Sequence, residues 1–218
     1  MYKYITILGA AGQIAQRLTA TLLTYTDMHI TLYGRQLSTR IHPEILEHER
    51  VTVIEGSFQN PKKLEDAVKN TEIVFLSAME TGSDMAAIVK ALSLQNIRRI
   101  IGLSMAGLSG EFPKALEKWT FDNLPISYVQ GERQARNVLR ESNLNYTILR
   151  LPWLYNNMEN TNYELIAEGA PFNDAQVTRE AVVKAVYDIL HVEDETPFSR
   201  ASIGVGEPGT HYDKPSFL

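Results

Sequence analysis

Cysteine is absent from the 218 residues. That excludes disulfide bonds, cysteine-ligated metal and a thiol nucleophile. No apolar run approaches membrane-spanning length, and Met1 to Ile5 lead straight into the first apolar stretch with no room for a cleaved leader. The expectation is a cytoplasmic protein without membrane contact. Basic charge is in deficit as well: 21 Lys and Arg against 26 Asp and Glu leave a net charge of -5, so a polyphosphate meets no general attraction. Nucleic acid is not an expected partner. Repeats, low-complexity runs and linkers are also missing, which leaves residues 1–218 as one domain of ordinary globular composition.

What is present is alternation. Short apolar runs at Tyr4–Leu8, His29–Tyr33, Val51–Ile54, Ile73–Ser77, Arg99–Leu103 and Tyr146–Leu151 are separated by segments of helical period. Several runs are continuously apolar, as strands of a parallel sheet covered on both faces must be. Helices are expected over Gln13–Thr24, Pro61–Lys69, Ser83–Gln95, about Gly131–Ser142 and Thr178–His191, with Asn60 and Ser83 as N-caps. The fold class is therefore α/β, a single-domain Rossmann-type doubly wound parallel sheet with helices on both faces. Substrate-side loops fall at about 105–128 and 153–177, and a tail bearing proline and glycine runs from 206 to 218, packed on the body or reaching a neighbouring subunit.

Residues 4–18 carry the first chemical signal. An apolar strand enters a turn with Gly9 and Gly12 and leaves as an amphipathic helix. Glycine lets the chain turn tightly against a pyrophosphate, and free amides at the helix start favour the anion; Ala11, Gln13 and Ile14 complete that corner. Ala15 stands where a third glycine would permit close helix–strand contact. After the second run comes Arg35, with no acidic residue before Glu44. A cation there suits a 2′-phosphate, so NADP(H) is expected over NAD(H), with Arg40 as a second contact; the alternative is a solvated surface arginine. Ser57 and Phe58 after the third run, and Ser77, Ala78 and Met79 after the fourth, could face adenine and ribose, although small residues also end strands for turn geometry alone.

The fifth run leads through Leu103 to Ser104, and Tyr128 stands 24 positions on, near the start of a helix. Gly9–Ala15, Ser104, Tyr128, the phrase Ser142–Pro152 (Ser-Asn-Leu-Asn-Tyr-Thr-Ile-Leu-Arg-Leu-Pro) and Thr178–Val183 resemble the short-chain dehydrogenase/reductase superfamily. They are similar in particular to its small atypical members, described as NAD(P)H-binding, NmrA-like or NAD-dependent epimerase/dehydratase-like. The resemblance covers nearly the whole chain, and the Ser142–Pro152 phrase is its most specific part. It implies cofactor contacts that include Leu103 and Pro152, with Ser104 and Tyr128 polarising a substrate oxygen. It also implies a lysine four residues after the tyrosine, and here that position is Glu132. A carboxylate shifts a phenol the opposite way from an ammonium. Arg133 and Arg136 could supply charge, but Glu132 and Arg136 are one helical turn apart and could pair with each other.

Aromatic residues cluster beyond this point: Phe112, Trp119, Phe121, Trp153, Tyr155, Tyr163 and Phe172. With Met105, the rings of Trp119, Trp153 and Tyr155 are expected to wall a pocket for a flat, aromatic or quinone-like substrate, while others complete the core beneath long loops. Asn156 and Asn157 could add polar orientation or serve turns. Gly102–Gly107 is a poor nucleophile elbow, since its second glycine is one position late and no histidine follows before His191. His42–Glu49 reads as a solvated helix, and no metal is expected. The sequence supports an NAD(P)H-dependent oxidoreductase or epimerase/dehydratase-like enzyme acting on a small molecule, with a homodimer as the expected assembly. Two other readings remain: a redox sensor acting through a protein partner, and a flavin or quinone reductase.

Overall fold

The computed structural model describes residues 2–218. The first half of the chain lays down β1 (Tyr4–Leu8), α1 (Gln13–Tyr25), β2 (His29–Gly34), the short α2 (Leu37–Arg40) and α3 (Pro43–Leu46), β3 (Val51–Glu55), α4 (Pro61–Val68), β4 (Ile73–Leu76), α5 (Gly82–Ser93) and β5 (Arg99–Met105). The second half adds α6 (Lys114–Asn123), α7 (Ile126–Glu141), β6 (Tyr146–Leu151), β7 (Trp153–Tyr155), β8 (Glu164–Ile166), β9 (Gln176–Thr178), α8 (Arg179–Leu190) and β10 (Ala201–Gly206). The main sheet runs β3-β2-β1-β4-β5-β6-β10-β8, parallel throughout except where β8 meets β10, and β7 pairs with β9 in a small ribbon. The chain reverses its direction of winding between β1 and β4. A crevice must therefore open beyond their carboxyl ends, where the crossovers diverge to opposite faces.

The period of 2 along each strand sorts the core into two layers. Ile5 and Ile7 of β1 pack with Leu18 and Leu22 of α1 and Val182 and Val186 of α8. Leu8 faces the other layer, with Val74 and Leu76 of β4, Met85 and Ile88 of α5 and Leu139 of α7. Thr6, buried among apolar groups, is tolerated because its hydroxyl reaches Ala67 O at 2.9 Å.

Expected and observed elements differ in instructive places. Asn60 caps α4 as read, by accepting from Lys63 N, but α5 is capped by Thr81 and not by Ser83: the Thr81 hydroxyl accepts from Asp84 N at 3.1 Å. α7 begins at Ile126, a turn before the expected Gly131, because Pro125 supplies a fixed φ just ahead of the first turn. Tyr128 thus lies inside the first turn of α7. β5 continues to Met105, so Ser104 is a strand residue. Sequence periodicity missed α6 and the strands β7 to β10. β10 is rich in small residues because Phe172 lies over it, so near that a Cβ on Gly204 would fall 2.5 Å from the ring. The tail packs on the body: Ser216 Oγ lies 2.9 Å from Gln176 Oε1 and the Phe217 ring stacks on Tyr155 at 5.2 Å.

Candidate functional site

The crevice between β1 and β4 is a cleft of about 440 Å³ lined by Gly9, Ala11, Gly12, Arg35, Arg40, Ser57, Phe58, Ser77, Ala78 and Met79, and by Glu80 and Thr81 at its far end. Its floor requires glycine. Gly9 has φ +75°, and a Cβ there would fall 2.4 Å from Ser77 Oγ, which donates to Gly9 O at 2.8 Å. A Cβ on Gly12 would meet that same hydroxyl and Gly9 O at 3.3 Å. α1 then starts with no side-chain cap on its free amides and no acidic residue in its first turn. The corner therefore suits an anion on geometry and on charge.

At the opposite end Arg35 and Arg40 reach the cleft from the segment after β2. Phe58 is held there by Tyr33, whose ring lies 6.0 Å away and whose hydroxyl donates to Ser57 O at 2.7 Å. Gln59 donates to Asp84 Oδ1 at 2.6 Å, closing this end between the β3–α4 loop and α5. The glycine corner, Arg35, Arg40 and Phe58 thus all line one cleft. Gln13 and Ile14 form the first turn of α1 beside the corner, and Leu103, expected at the cofactor, is buried in the core layer shared with α1 and α8.

A buried carboxyl stands where the family resemblance implies a lysine. Glu132, 2% exposed, projects from α7 into the gap between β5 and Tyr128. Its Oε2 accepts from Ser104 Oγ at 2.8 Å and from Met105 N at 3.4 Å, while its Oε1 accepts from Tyr128 Oη at 3.1 Å. Glu132 and Arg136, which could have paired along the helix, do not: Arg136 donates to Ser109 Oγ at 3.2 Å. Burial pushes the Glu132 carboxyl up to about 7; Ser104, Tyr128 and Met105 oppose that rise and the charge of Glu80 adds to it. Tyr128 is shifted upward by burial first and then by Glu132, so its phenol stays protonated.

On the far side of this trio is a second hollow of about 370 Å³, lined by Met105, Tyr128, Pro152, Trp153, Arg179 and Phe217 among others. Pro152, expected at the cofactor, lines this hollow. Trp119 stands behind Trp153 in an edge-to-face pair at 4.8 Å. Tyr155 faces Phe217 and donates to Glu207 at 2.8 Å. Phe112 reaches the hollow too, whereas Phe172 completes a small core and Tyr163 donates to Asp188 at 2.6 Å, away from the site. Asn156 accepts from Arg17 and Arg179. Phe217 and Arg179 are among the lining residues that sequence reasoning missed, because nothing local marks a tail residue or the first residue of α8 as reaching the pocket. Among the described residues no cluster fit to hold a metal is present.

A family model described as NAD(P)H-binding matches residues 9–193. The chain belongs to this NAD(P)H-binding family. Similar solved structures include a short-chain dehydrogenase/reductase from Veillonella parvula DSM 2008 in complex with NADP, 85% identical with a TM-score of 0.99 over 100% of both chains. A Rossmann-fold NAD(P)-binding family protein from Shigella flexneri is 25% identical with a TM-score of 0.79, again over 100% of both chains. Oxidoreductase aflX of Aspergillus parasiticus is 39% identical over 72 residues, which are 32% of this chain and only 27% of the relative's length. NAD(P)H binding on a Rossmann fold is thus the shared character of this chain and its family. No helix among the described residues is long and apolar enough to cross a membrane.

Proposed function

We propose that the protein is an NADPH-dependent reductase of a small, flat carbonyl or quinone compound. One observation carries the reading: beside a cleft with a glycine corner and the Arg35–Arg40 pair, the chain holds a hollow lined by Met105, Trp153 and Phe217, and Tyr128 of that lining shares Glu132 with Ser104 as hydrogen-bond partner. The cofactor would lie along Gly9, Gly12, Ser77 and Phe58, with its 2′-phosphate at Arg35 and its nicotinamide end beyond Met79. Bound there, it supplies the two electrons and one hydrogen of a reduction. Ser104 and Tyr128 orient the substrate oxygen, and Trp153, Met105 and Phe217 exclude water around its ring. The binding of NADP by the Veillonella parvula relative supports the choice of nucleotide.

The test is a pair of titrations, NADPH and NADH, on the wild type and on Arg35→Ala. NADPH is expected to bind the wild type more tightly, and the substitution is expected to remove most of that preference, at about 1.5–3 kcal/mol for a charge-assisted contact. Equal affinities for both nucleotides in the wild type reject Arg35 as the phosphate reader.

A further inference from the structure

We propose that Glu132 is the proton store of this site, a positioning residue that, when protonated, frees the Ser104 or Tyr128 hydroxyl to donate to a carbonyl oxygen and, when ionised, holds both hydroxyls to itself. The inference rests on the reductase reading above and deepens it. It comes from counting hydrogens. An ionised carboxylate only accepts, and each hydroxyl has one hydrogen to give. Ser104 Oγ at 2.8 Å, Tyr128 Oη at 3.1 Å and Met105 N at 3.4 Å all point their hydrogens at Glu132 in that state. A substrate carbonyl would then face lone pairs only. Add one proton to Glu132 and the account changes: the acid donates to one of the hydroxyl oxygens, and that hydroxyl turns its own hydrogen outward.

The surroundings make the carboxyl able to hold that proton. Glu132 is buried, and among the described residues no lysine, arginine or histidine forms an ion pair with it. The groups that face it are Ser104 and Met105 of β5, Tyr128 of its own helix, and the like charge of Glu80 after β4. Burial and that like charge both favour the neutral acid, and the titration falls at about 7, where a proton can be given and recovered.

In the reduction, the carbonyl carbon accepts two electrons and one hydrogen from the reduced nicotinamide, and the π pair of the C=O bond moves to oxygen. That oxygen takes the hydrogen of Ser104 or Tyr128, the hydroxyl is refilled from Glu132, and the carboxylate regains a proton from water. In the reverse direction an alcohol O–H donates to the same hydroxyl oxygen and the released proton ends on Glu132. A lysine at this position would donate hydrogens to the hydroxyls and favour an ionised phenol. Glu132 favours the neutral one, so reduction is predicted to need the acid form and to fade as pH rises.

The experiment compares the wild type, Glu132→Gln and Glu132→Asp, with phenanthrenequinone as the probe acceptor. In infrared spectra taken over a pH series, the wild-type-minus-Glu132→Gln difference should show a carboxylic acid C=O band near pH 6 that is lost by about pH 8. Absence of that band in the acid range overturns the proposal. In NADPH oxidation, kcat/KM of the wild type should fall about tenfold per pH unit above about 7, Glu132→Gln should be slow and flat with pH, and Glu132→Asp should restore the break at a reduced rate. NADPH affinity should be alike in all three. A Glu132→Gln profile that keeps the wild-type break overturns the proposal. Absence of quinone turnover at every pH overturns the reductase reading and the carbonyl half of this inference, while the infrared titration judges the proton store separately.

Discussion

At the scale of the residue, Glu132 reverses the electrostatic logic of its neighbours and leaves a thermodynamic trace. Its carboxyl titrates at about 7 when folded against 4.5 ordinarily, so between those values the folded chain holds a proton that the unfolded chain has released. Its contribution to stability is fully present below about 4.5, declines as pH rises through that window and is lost above about 7. The shift corresponds to roughly 3 kcal/mol at about 1.4 kcal/mol per pH unit. Urea unfolding at about pH 5 and about pH 8 should show a decline in the wild type that is smaller in Glu132→Gln by an amount of that order. Parallel declines in the two proteins would falsify the burial account of this carboxyl. Glu132 was legible in the sequence as a departure from a family pattern. Its two hydroxyl partners were not: β5 and α7 are separated in the chain by the segment that carries α6, and only packing brings Ser104 within 2.8 Å of it.

At the scale of the element, the placement of Glu132 depends on how closely α7 approaches the start of α5. Gly131 is the contact point: a Cβ there would lie 2.2 Å from the backbone oxygen of Glu80. A Cβ on Gly82, at the first position of α5, would fall 3.1 Å from the Gln134 Cβ. Gly131→Ala is expected to push α7 outward, at a cost of about 1–3 kcal/mol as for overpacked core positions. It should lengthen the Ser104–Glu132 contact as well. Thermal unfolding checks the first expectation, and a shifted pH–rate break checks the second; a variant as stable as the wild type would show that the helices do not meet through this glycine. The start of α7 was misread by five residues because its first turn, Ile126 to Gln130, carries little apolar periodicity. Pro125 held the information, as a proline at a helix start commonly does.

At the scale of the whole molecule, the phrase that most clearly marks the family holds the substrate side of the fold together. Ser142 ends α7 by donating to Leu139 O at 2.7 Å, Tyr146 lies under Arg200 at 5.0 Å, and Arg150 is buried at the end of β6. Arg150 pairs with Glu111 at 3.0 Å and donates to Ile166 O at 3.0 Å and Ala167 O at 3.2 Å, so β6, the loop after β5 and the segment around β8 meet on one guanidinium. Glu111 in turn accepts from Gly107 N and Ser109 N. Glu111→Ala would leave the arginine buried and unpaired, and about 3–5 kcal/mol of stability should be lost in urea unfolding. Loss of less than about 1 kcal/mol would mean that water replaces the carboxylate at no cost.

The α/β alternation, the doubly wound parallel sheet and the glycine turn between β1 and α1 were determined by the sequence alone, because continuous apolar runs, helical periodicity and a glycine turn are local patterns whose meaning does not depend on distant partners. β10 and the small ribbon of β7 and β9 could not be read that way. Their short strands are stabilised by neighbours such as Phe172, and not by a period of their own. Tertiary structure alone decided which groups Glu132 meets. A carboxyl one turn after a tyrosine can pair with an arginine on the same helix or reach across to another strand, and the burial and hydroxyl partners that select the second exist only once β5 and α7 have packed together.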